Sequence, residues 1–231
     1  MENCDLNYAN SEQIYDQIDK ELVEQFNVSF TDEVRFKIKG LTDQKSAAVI
    51  VNELKLPISV DEYVRESHRK CRQLLGDTDL MPGAEKLLRH LEKHNIPMAV
   101  ATSSPRDMVA IKTKKHQEIF KVFHHIVCGS GDPEVKDGKP CPDIFLVAAK
   151  RFDESPNPGK SAKRFDVSPT PEKCLVFEDA PNGVTAANSA GMQNILVPDP
   201  HVPKAQTLHA TIVLRSLEDF KPESFGLPAF D

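Results

Sequence analysis

The chain has 231 residues, enough to bury one sizeable core, or one core together with a small satellite domain. Its 29 Lys and Arg against 35 Asp and Glu give a net charge of −6, which offers no electrostatic reason to expect nucleic acid or a membrane as a partner. The five cysteines are scattered without a C-x-x-C pair, so they predict reduced thiols and not a disulfide framework or a zinc site. The polar first residues and the lack of a long apolar run predict a cytoplasmic location.

The segment 11–80 has a helical period throughout. From position 14 to position 26 an apolar residue recurs at every fourth place, which indicates one apolar stripe along a helix. Ser59 and Glu62 form the S-x-x-E signature of a capping box at the start of another helix. We therefore expect a compact all-helical domain of about four helices in this segment.

After residue 81 short apolar runs alternate with helical segments. Strands are predicted at 96–101, 125–128, 174–177, 194–197 and 210–214. Strands separated by helices are typical of a parallel sheet that is covered on both faces, and such sheets bind ligands at the carboxyl ends of their strands. We therefore expect an α/β core over residues 81–231.

A local duplication lengthens one loop of the predicted core. The pentapeptide Ala-Lys-Arg-Phe-Asp at 149–153 recurs at 162–166, and each copy continues into Ser-Pro-x-Pro. Surface loops tolerate such insertions at small entropic cost. We interpret residues 152–170 as a lengthened surface loop and assign it no function.

Two polar motifs suit a phosphate group. Thr102 and Ser103 follow the strand predicted at 96–101, where hydroxyl and backbone N–H groups suit phosphate oxygens, although the same residues are also ordinary turn and cap chemistry. Lys139 lies in a Gly-Lys-Pro turn. There it would neutralise a phosphate, unless it is simply a lysine facing solvent.

A third motif suits a divalent cation. Glu178 and Asp179 follow the strand predicted at 174–177. Carboxylates at the end of a buried strand need a partner, and Mg²⁺ held by one or two carboxylates with waters and a substrate phosphate meets that need. The alternative is that Asp179 serves only as an N-cap of the next helix.

The three motifs in this order resemble the haloacid dehalogenase (HAD) superfamily, over nearly the whole chain. The stretches LMPGAEKLLRHL, PMAVATSS, GKPCPDIF and CLVFEDAPNGV look like those of its pseudouridine-5′-phosphatase group. The resemblance implies an α/β fold, with a HAD-type, Rossmann-like parallel sheet core and a small all-helical cap domain. It also implies a Mg²⁺-dependent phosphatase acting on a small phosphorylated metabolite, with pseudouridine 5′-phosphate as a candidate substrate.

By resemblance, each motif takes a role in that reaction. Thr102 and Ser103 would bind the transferring phosphoryl group, and Lys139 would stabilise its charge and orient the nucleophile. Asp179, helped by Glu178, would hold Mg²⁺. The helical cap would close over the substrate and select it.

The N-terminal residues 1–10 depart from the family pattern, in which an Asp-x-Asp-Gly motif follows the central strand. The downstream Ser-Glu pair places the second Asp on Asp5, which would act as general acid/base and metal ligand. The nucleophilic first Asp then falls on Asn3, a neutral carboxamide. Only two residues precede Asn3, so we expect the first strand to be missing or degenerate.

Three explanations of this departure compete. We favour a misplaced start codon or an alternative transcript of an active enzyme. A catalytically inactive pseudoenzyme that binds phosphate ligands is the second, and an N-terminus that replaces the strand in some other way is the third.

A phosphomutase of the same fold is a further alternative for the activity. Cap residues Thr42 and Lys45 are candidates for choosing the substrate, and the sequence does not indicate an oligomeric state.

Overall fold

The computed structural model describes residues 2–4, 12–38, 41–77, 79–153, 168–199 and 202–231. These residues form a six-stranded sheet with the strand order β3-β2-β1-β4-β5-β6, in which every neighbouring pair is parallel. The strands are β1 (Glu2–Cys4), β2 (Met98–Thr102), β3 (His125–Cys128), β4 (Leu175–Glu178), β5 (Gln193–Leu196) and β6 (Ile212–Val213). The predicted α/β class with a parallel sheet is confirmed.

The first strand is present, and the expectation that it is missing is wrong. Glu2–Cys4 lies at the centre of the sheet between β2 and β4, and Asn3 forms its middle instead of following it. The sequence of this strand is polar and short. It pairs on both sides because the buried backbone groups of β2 and β4 need hydrogen-bond partners there, and such tertiary context overrides weak strand propensity.

Four α-helices are described within residues 11–80, in agreement with the predicted number. They are α1 (Glu12–Glu24), α2 (Asp32–Ile38), α3 (Asp43–Glu53) and α4 (Val60–Leu74). Their apolar residues form one cluster, which includes Ile18 and Leu22 of the predicted stripe. The predicted capping box opens α4: the Glu62 N–H donates to Ser59 Oγ at 3.2 Å, and the Ser59 N–H donates to Glu62 Oε2 at 2.9 Å.

Five further α-helices are described after α4. They are α5 (Ala84–Lys93), α6 (Arg106–Lys112), α7 (Gln117–Phe120), α8 (Asp143–Lys150) and α9 (Pro181–Ser189). Two apolar clusters lie on opposite faces, since Val176 of β4 belongs to one and its neighbour Phe177 to the other. Among the described residues, no helix has the length and apolar character that a membrane span requires. Most of the predicted loop 152–170 lies outside the described residues.

Candidate active site

A cavity of about 160 Å³ lies where α1–α4 face the carboxyl ends of β2 and β4. Its wall on the side of the sheet brings together five residues that the sequence predicts for the site: Thr102, Ser103, Lys139, Glu178 and Asp179. They meet there because the carboxyl ends of parallel strands share one edge of the sheet. Asp5 lies outside the described residues.

The turn after β2 is held by short contacts with the turn after β3. The Gly129 N–H donates to Thr102 O at 2.6 Å, and Ser130 Oγ donates to Ser103 O at 3.0 Å. Within the turn, the Ser104 N–H donates to Thr102 Oγ1 at 3.2 Å. The hydroxyl-bearing residues are therefore fixed at the cavity before any ligand binds.

Lys139 and Glu178 form a buried ion pair at the cavity wall. Lys139 Nζ lies 2.6 Å from Glu178 Oε1, donates to Ala101 O at 3.3 Å and lies 4.9 Å from the centroid of the Phe145 ring. Burial raises the pKa of the Glu178 carboxyl above its usual value, and the adjacent Lys139 ammonium opposes that rise. The predicted alternative of a lysine facing solvent is wrong, because Lys139 is buried.

Gly183 provides the space for the Glu178 carboxylate. A Cβ atom at position 183 would lie 1.9 Å from Glu178 Cδ, closer than any real contact allows. The first turn of α9 therefore lies directly against the acid, and the Ala180 N–H approaches Glu178 Oε2 at 3.4 Å. The buried Glu178 carboxylate therefore requires a glycine at position 183, the last residue of the EDAPNG stretch.

The residues fit a magnesium ion in part. Asp179 is a half-buried carboxylate on the cavity wall, the donor type that Mg²⁺ takes together with waters and a substrate phosphate. The Glu178 oxygens instead contact Lys139 and the Ala180 N–H. In the described ranges, no three His, Cys, Asp or Glu side chains form a metal-binding group. Asp179 is therefore the best-placed ligand there.

Asn3 lies inside the sheet and not at its carboxyl edge. Its backbone is level with Ala99 of β2 and Val176 of β4. Thr102 is three residues further along β2, and Glu178 is two residues further along β4. At about 3.3 Å per residue, Asn3 lies roughly 7–10 Å from those residues along the strand direction, toward the amino ends of the strands. Its assignment as the nucleophile position remains a prediction.

The helices contribute a second wall, which sequence reasoning missed. Its polar residues on α1 to α4 are Tyr15, Asp16, Asp19, Arg35, Asp43, Ser46, Tyr63, Ser67 and His68. The proposed selectors Thr42 and Lys45 do not belong to the described lining, whereas Asp43 and Ser46 beside them do. One signal was available: Tyr15 and Asp19 are four residues apart on α1 and flank its apolar stripe.

The acids of the helical wall have different partners. Asp16 Oδ2 lies 3.1 Å from Arg35 Nε, and Asp43 Oδ2 lies 2.7 Å from His68 Nε2. The hydrogen bond that the His68 ring donates to Asp43 raises the pKa of His68. Asp19 Oδ1 accepts a hydrogen bond of 2.8 Å from the Tyr63 hydroxyl. Two of the three acids therefore face a basic side chain, and the third faces a neutral one.

Lys112 of α6 joins the two walls. Its Nζ donates to Ser104 Oγ at 3.0 Å, and it lies 4.7 Å from the centroid of the Tyr15 ring. This lysine also lines the cavity. It therefore adds positive charge near the turn that carries Thr102 and Ser103.

Comparisons with known proteins agree with this architecture. A family profile for haloacid dehalogenase-like hydrolases matches residues 8–191. The chain is 48% identical over 220 residues to a Drosophila melanogaster protein named "probable pseudouridine-5′-phosphatase", covering 95% of this chain and 90% of that one. It is 39% identical over 222 residues to (DL)-glycerol-3-phosphatase 1, mitochondrial, of Arabidopsis thaliana, covering 95% and 70%.

A solved structure shows the same fold. The crystal structure of a HAD hydrolase, family IA, variant 3, from Entamoeba histolytica superposes with a TM-score of 0.73 at 25% identity, covering 97% of this chain and 96% of that one. The profile covers most of the chain, and the fly protein is similar over nearly all of it. The chain belongs to the haloacid dehalogenase-like hydrolase family.

Proposed function

We propose that the chain is a Mg²⁺-dependent phosphatase that releases inorganic phosphate from a small phosphorylated metabolite, with pseudouridine 5′-phosphate as the first substrate to test. The observation that carries the proposal is the meeting of two hydroxyl-bearing residues, a buried lysine and an acid at one cavity. Relatives named for phosphate ester hydrolysis support it. We also propose the division into a cap over residues 11–80 and a core over residues 81–231.

In this proposal, the wall formed by the sheet holds the phosphoryl group. Thr102 and Ser103 donate hydrogen bonds to its oxygens from a turn that is already fixed. Lys139 supplies positive charge that Glu178 holds in place, so no side chain has to reorganise when the charge of the transition state develops. Lys112 adds a second positive charge beside the same turn.

Asp179 would hold Mg²⁺, and Asp5 is the further ligand and the general acid/base that the resemblance suggests. A bound Mg²⁺ ion neutralises phosphate charge and orients the ester. The carboxylate of Asp179 fits this role through its place on the cavity wall. We also propose a cytoplasmic location, which the free thiols of the described cysteines Cys71, Cys128, Cys141 and Cys174 support.

A second candidate function is phosphate binding without turnover. It is favoured by Asn3, which is a carboxamide where the family pattern expects the nucleophilic Asp. A carboxamide is a poor nucleophile, so a protein with this residue would bind phosphate esters and leave them intact.

Phosphate release from a panel of phosphate monoesters, with and without Mg²⁺, separates the two functions. We expect release that depends on Mg²⁺ and is lost on chelation. Calorimetric binding without release would favour the second candidate. The absence of both binding and release would overturn both candidates.

Thr102→Val should weaken binding of inorganic phosphate about tenfold, because one hydrogen bond to a charged group is lost. Thr113→Val, at the C-terminal end of α6 and not part of the described cavity lining, is the matched control.

A further inference from the structure

Asp19 is an acid of the helical wall that faces the same cavity as the proposed phosphate site. Its side chain projects from α1 and accepts a hydrogen bond from Tyr63, a buried residue of α4. The pKa of Asp19 is raised to about 7, chiefly by loss of contact with water and to a smaller extent by the nearby acids Asp16 and Asp43, while the hydrogen bond from Tyr63 opposes the rise. At pH 8 the carboxyl is therefore ionised in a poorly hydrated place.

The charge of Asp19 is less compensated than that of its neighbours. Asp16 faces Arg35 and Asp43 faces His68, whereas the described hydrogen-bond partner of Asp19 is a neutral hydroxyl. Of the remaining cations of the cavity, Lys139 lies on the wall of the sheet with Glu178, and Lys112 lies between the two walls, beside Ser104 and the Tyr15 ring. Among the described contacts, Asp19 is therefore the acid of the helical wall without a basic partner, whereas the ammonium groups of Lys139 and Lys112 contact residues 101–104 at the end of β2.

We propose that Asp19 determines which phosphate esters the cavity accepts, favouring monophosphates whose remainder carries neutral hydrogen-bond donors over compounds with a second anionic group. The inference rests on the proposed function and names its substrate class. When the phosphoryl group lies at Thr102 and Lys139, the remainder of the molecule faces the helical wall. Hydroxyl or ring N–H groups would donate to Asp19 there, whereas a carboxylate or a second phosphate would meet a like charge.

The same charge distribution opposes a phosphomutase. In a phosphomutase whose enzyme already carries a phosphoryl group, that group passes to a second oxygen of the sugar monophosphate, so the sugar carries two phosphoryl groups until one returns to the enzyme. The second group would then face Asp19. The preference for neutral remainders therefore favours hydrolysis of monophosphates over transfer.

A matched pair of ligands tests the inference. Glycerol 3-phosphate and 3-phosphoglycerate are similar in size, but one ends in a hydroxymethyl group and the other in a carboxylate. The preference for one ligand over the other is measured at pH 8 with Mg²⁺. It is the ratio of the two kcat/KM values where phosphate is released, and the ratio of the two Kd values from calorimetry where it is not. Inorganic phosphate reports on the phosphate site alone. Asp19→Asn keeps the shape and removes the charge, and Asp19→Ser repeats the test with a smaller neutral residue.

We expect the protein to favour glycerol 3-phosphate about tenfold or more, and Asp19→Asn to reduce that ratio about fivefold or more, mainly through better acceptance of 3-phosphoglycerate. Glu24→Gln makes the same charge change on the exposed side of α1 and should leave the ratio within about twofold. An unchanged ratio in both Asp19 variants, with phosphate binding intact, would overturn this inference alone. Failure of the unmodified protein to bind any of the three ligands would overturn the proposed function, and this inference with it.

Discussion

Lys139 Nζ lies 2.6 Å from Glu178 Oε1, and the two side chains are only 3% and 1% exposed. Each charge depends on the other, since neither has bulk water to replace its partner. Lys139 comes from the loop before α8 and Glu178 from the end of β4, so the pair also ties two parts of the core together at the cavity. The lysine proposed to bind phosphate is thus also one half of a buried contact within the core.

Glu178→Gln should lower the free energy of unfolding by about 3–5 kcal/mol, because it leaves the Lys139 ammonium buried without its counter-charge. Urea unfolding followed by circular dichroism measures this loss. The matched control is Glu118→Gln, which breaks an ion pair of the same 2.6 Å length with Lys121, where the side chains are 79% and 57% exposed. That change should cost less than about 1 kcal/mol. Similar small losses in both variants would contradict the dependence on burial.

Gly183→Ala should damage the same site by sterics alone. Its Cβ would lie 1.9 Å from Glu178 Cδ, so either the carboxylate or the start of α9 has to move. We expect a loss of about 1–3 kcal/mol in unfolding free energy, as for other overpacked positions, together with weaker phosphate binding. Gly76→Ala introduces a methyl group with no atom within 4 Å and should change stability by less than about 0.5 kcal/mol. If the two alanine variants were equally stable, α9 would not press against Glu178.

Asn3→Asp should not create or increase phosphatase activity. The residue is the middle of β1, level with Ala99 and Val176, so an aspartate there would stand back from the edge where Thr102 lies. Phosphate release measured beside the unmodified chain tests this expectation. Asp5→Asn is the companion variant, because Asp5 is the acid that the family resemblance retains. A gain of about tenfold or more in the Asn3 variant would show that the spacing of the family motif locates the nucleophile better than the strand register does.

The predicted site on the sheet could be found because its residues follow strands. Apolar runs predicted β2 and β4, and the rule that parallel strands end at one edge brought Thr102 and Asp179 to one place, whereas Lys139 was found through its Gly-Lys-Pro turn. The first strand could not be found in this way. Glu2–Cys4 has no apolar run, and it becomes a strand only because its neighbours need backbone partners on both sides.

The helical wall was hidden for a different reason. Periodicity predicts which face of α1 packs inward. It does not predict which strands, distant in the sequence, have their carboxyl ends next to the residues that flank this face. Asp19 sits beside the apolar Ile18 and would ordinarily be interpreted as a solvated acid. Its place on the cavity depends on how α1–α4 lie against the sheet, and that is a tertiary property.

Asp19→Asn should remove a pH dependence from the stability of the protein. The pKa of Asp19 is raised from 3.8 to about 7 in the folded chain, so between those values the folded state holds a proton that the unfolded state has released. The free energy of unfolding therefore falls, through this group, as the pH rises from 3.8 to about 7, and it levels off above that. Asparagine has no proton to lose and can still accept the hydrogen bond from Tyr63.

Urea unfolding of both proteins at pH 5 and pH 8 measures the effect. The variant should gain stability relative to the unmodified chain between these two values, by at most about 2–3 kcal/mol. His68 also becomes less stabilising as the pH rises, because Asp43 raises its pKa, but that contribution is common to both proteins and cancels in the difference. Parallel stability profiles for the two proteins would mean that Asp19 is hydrated and ionises normally. The carboxylate would then be screened by water, and its influence on the charge of a bound ligand would be correspondingly weak.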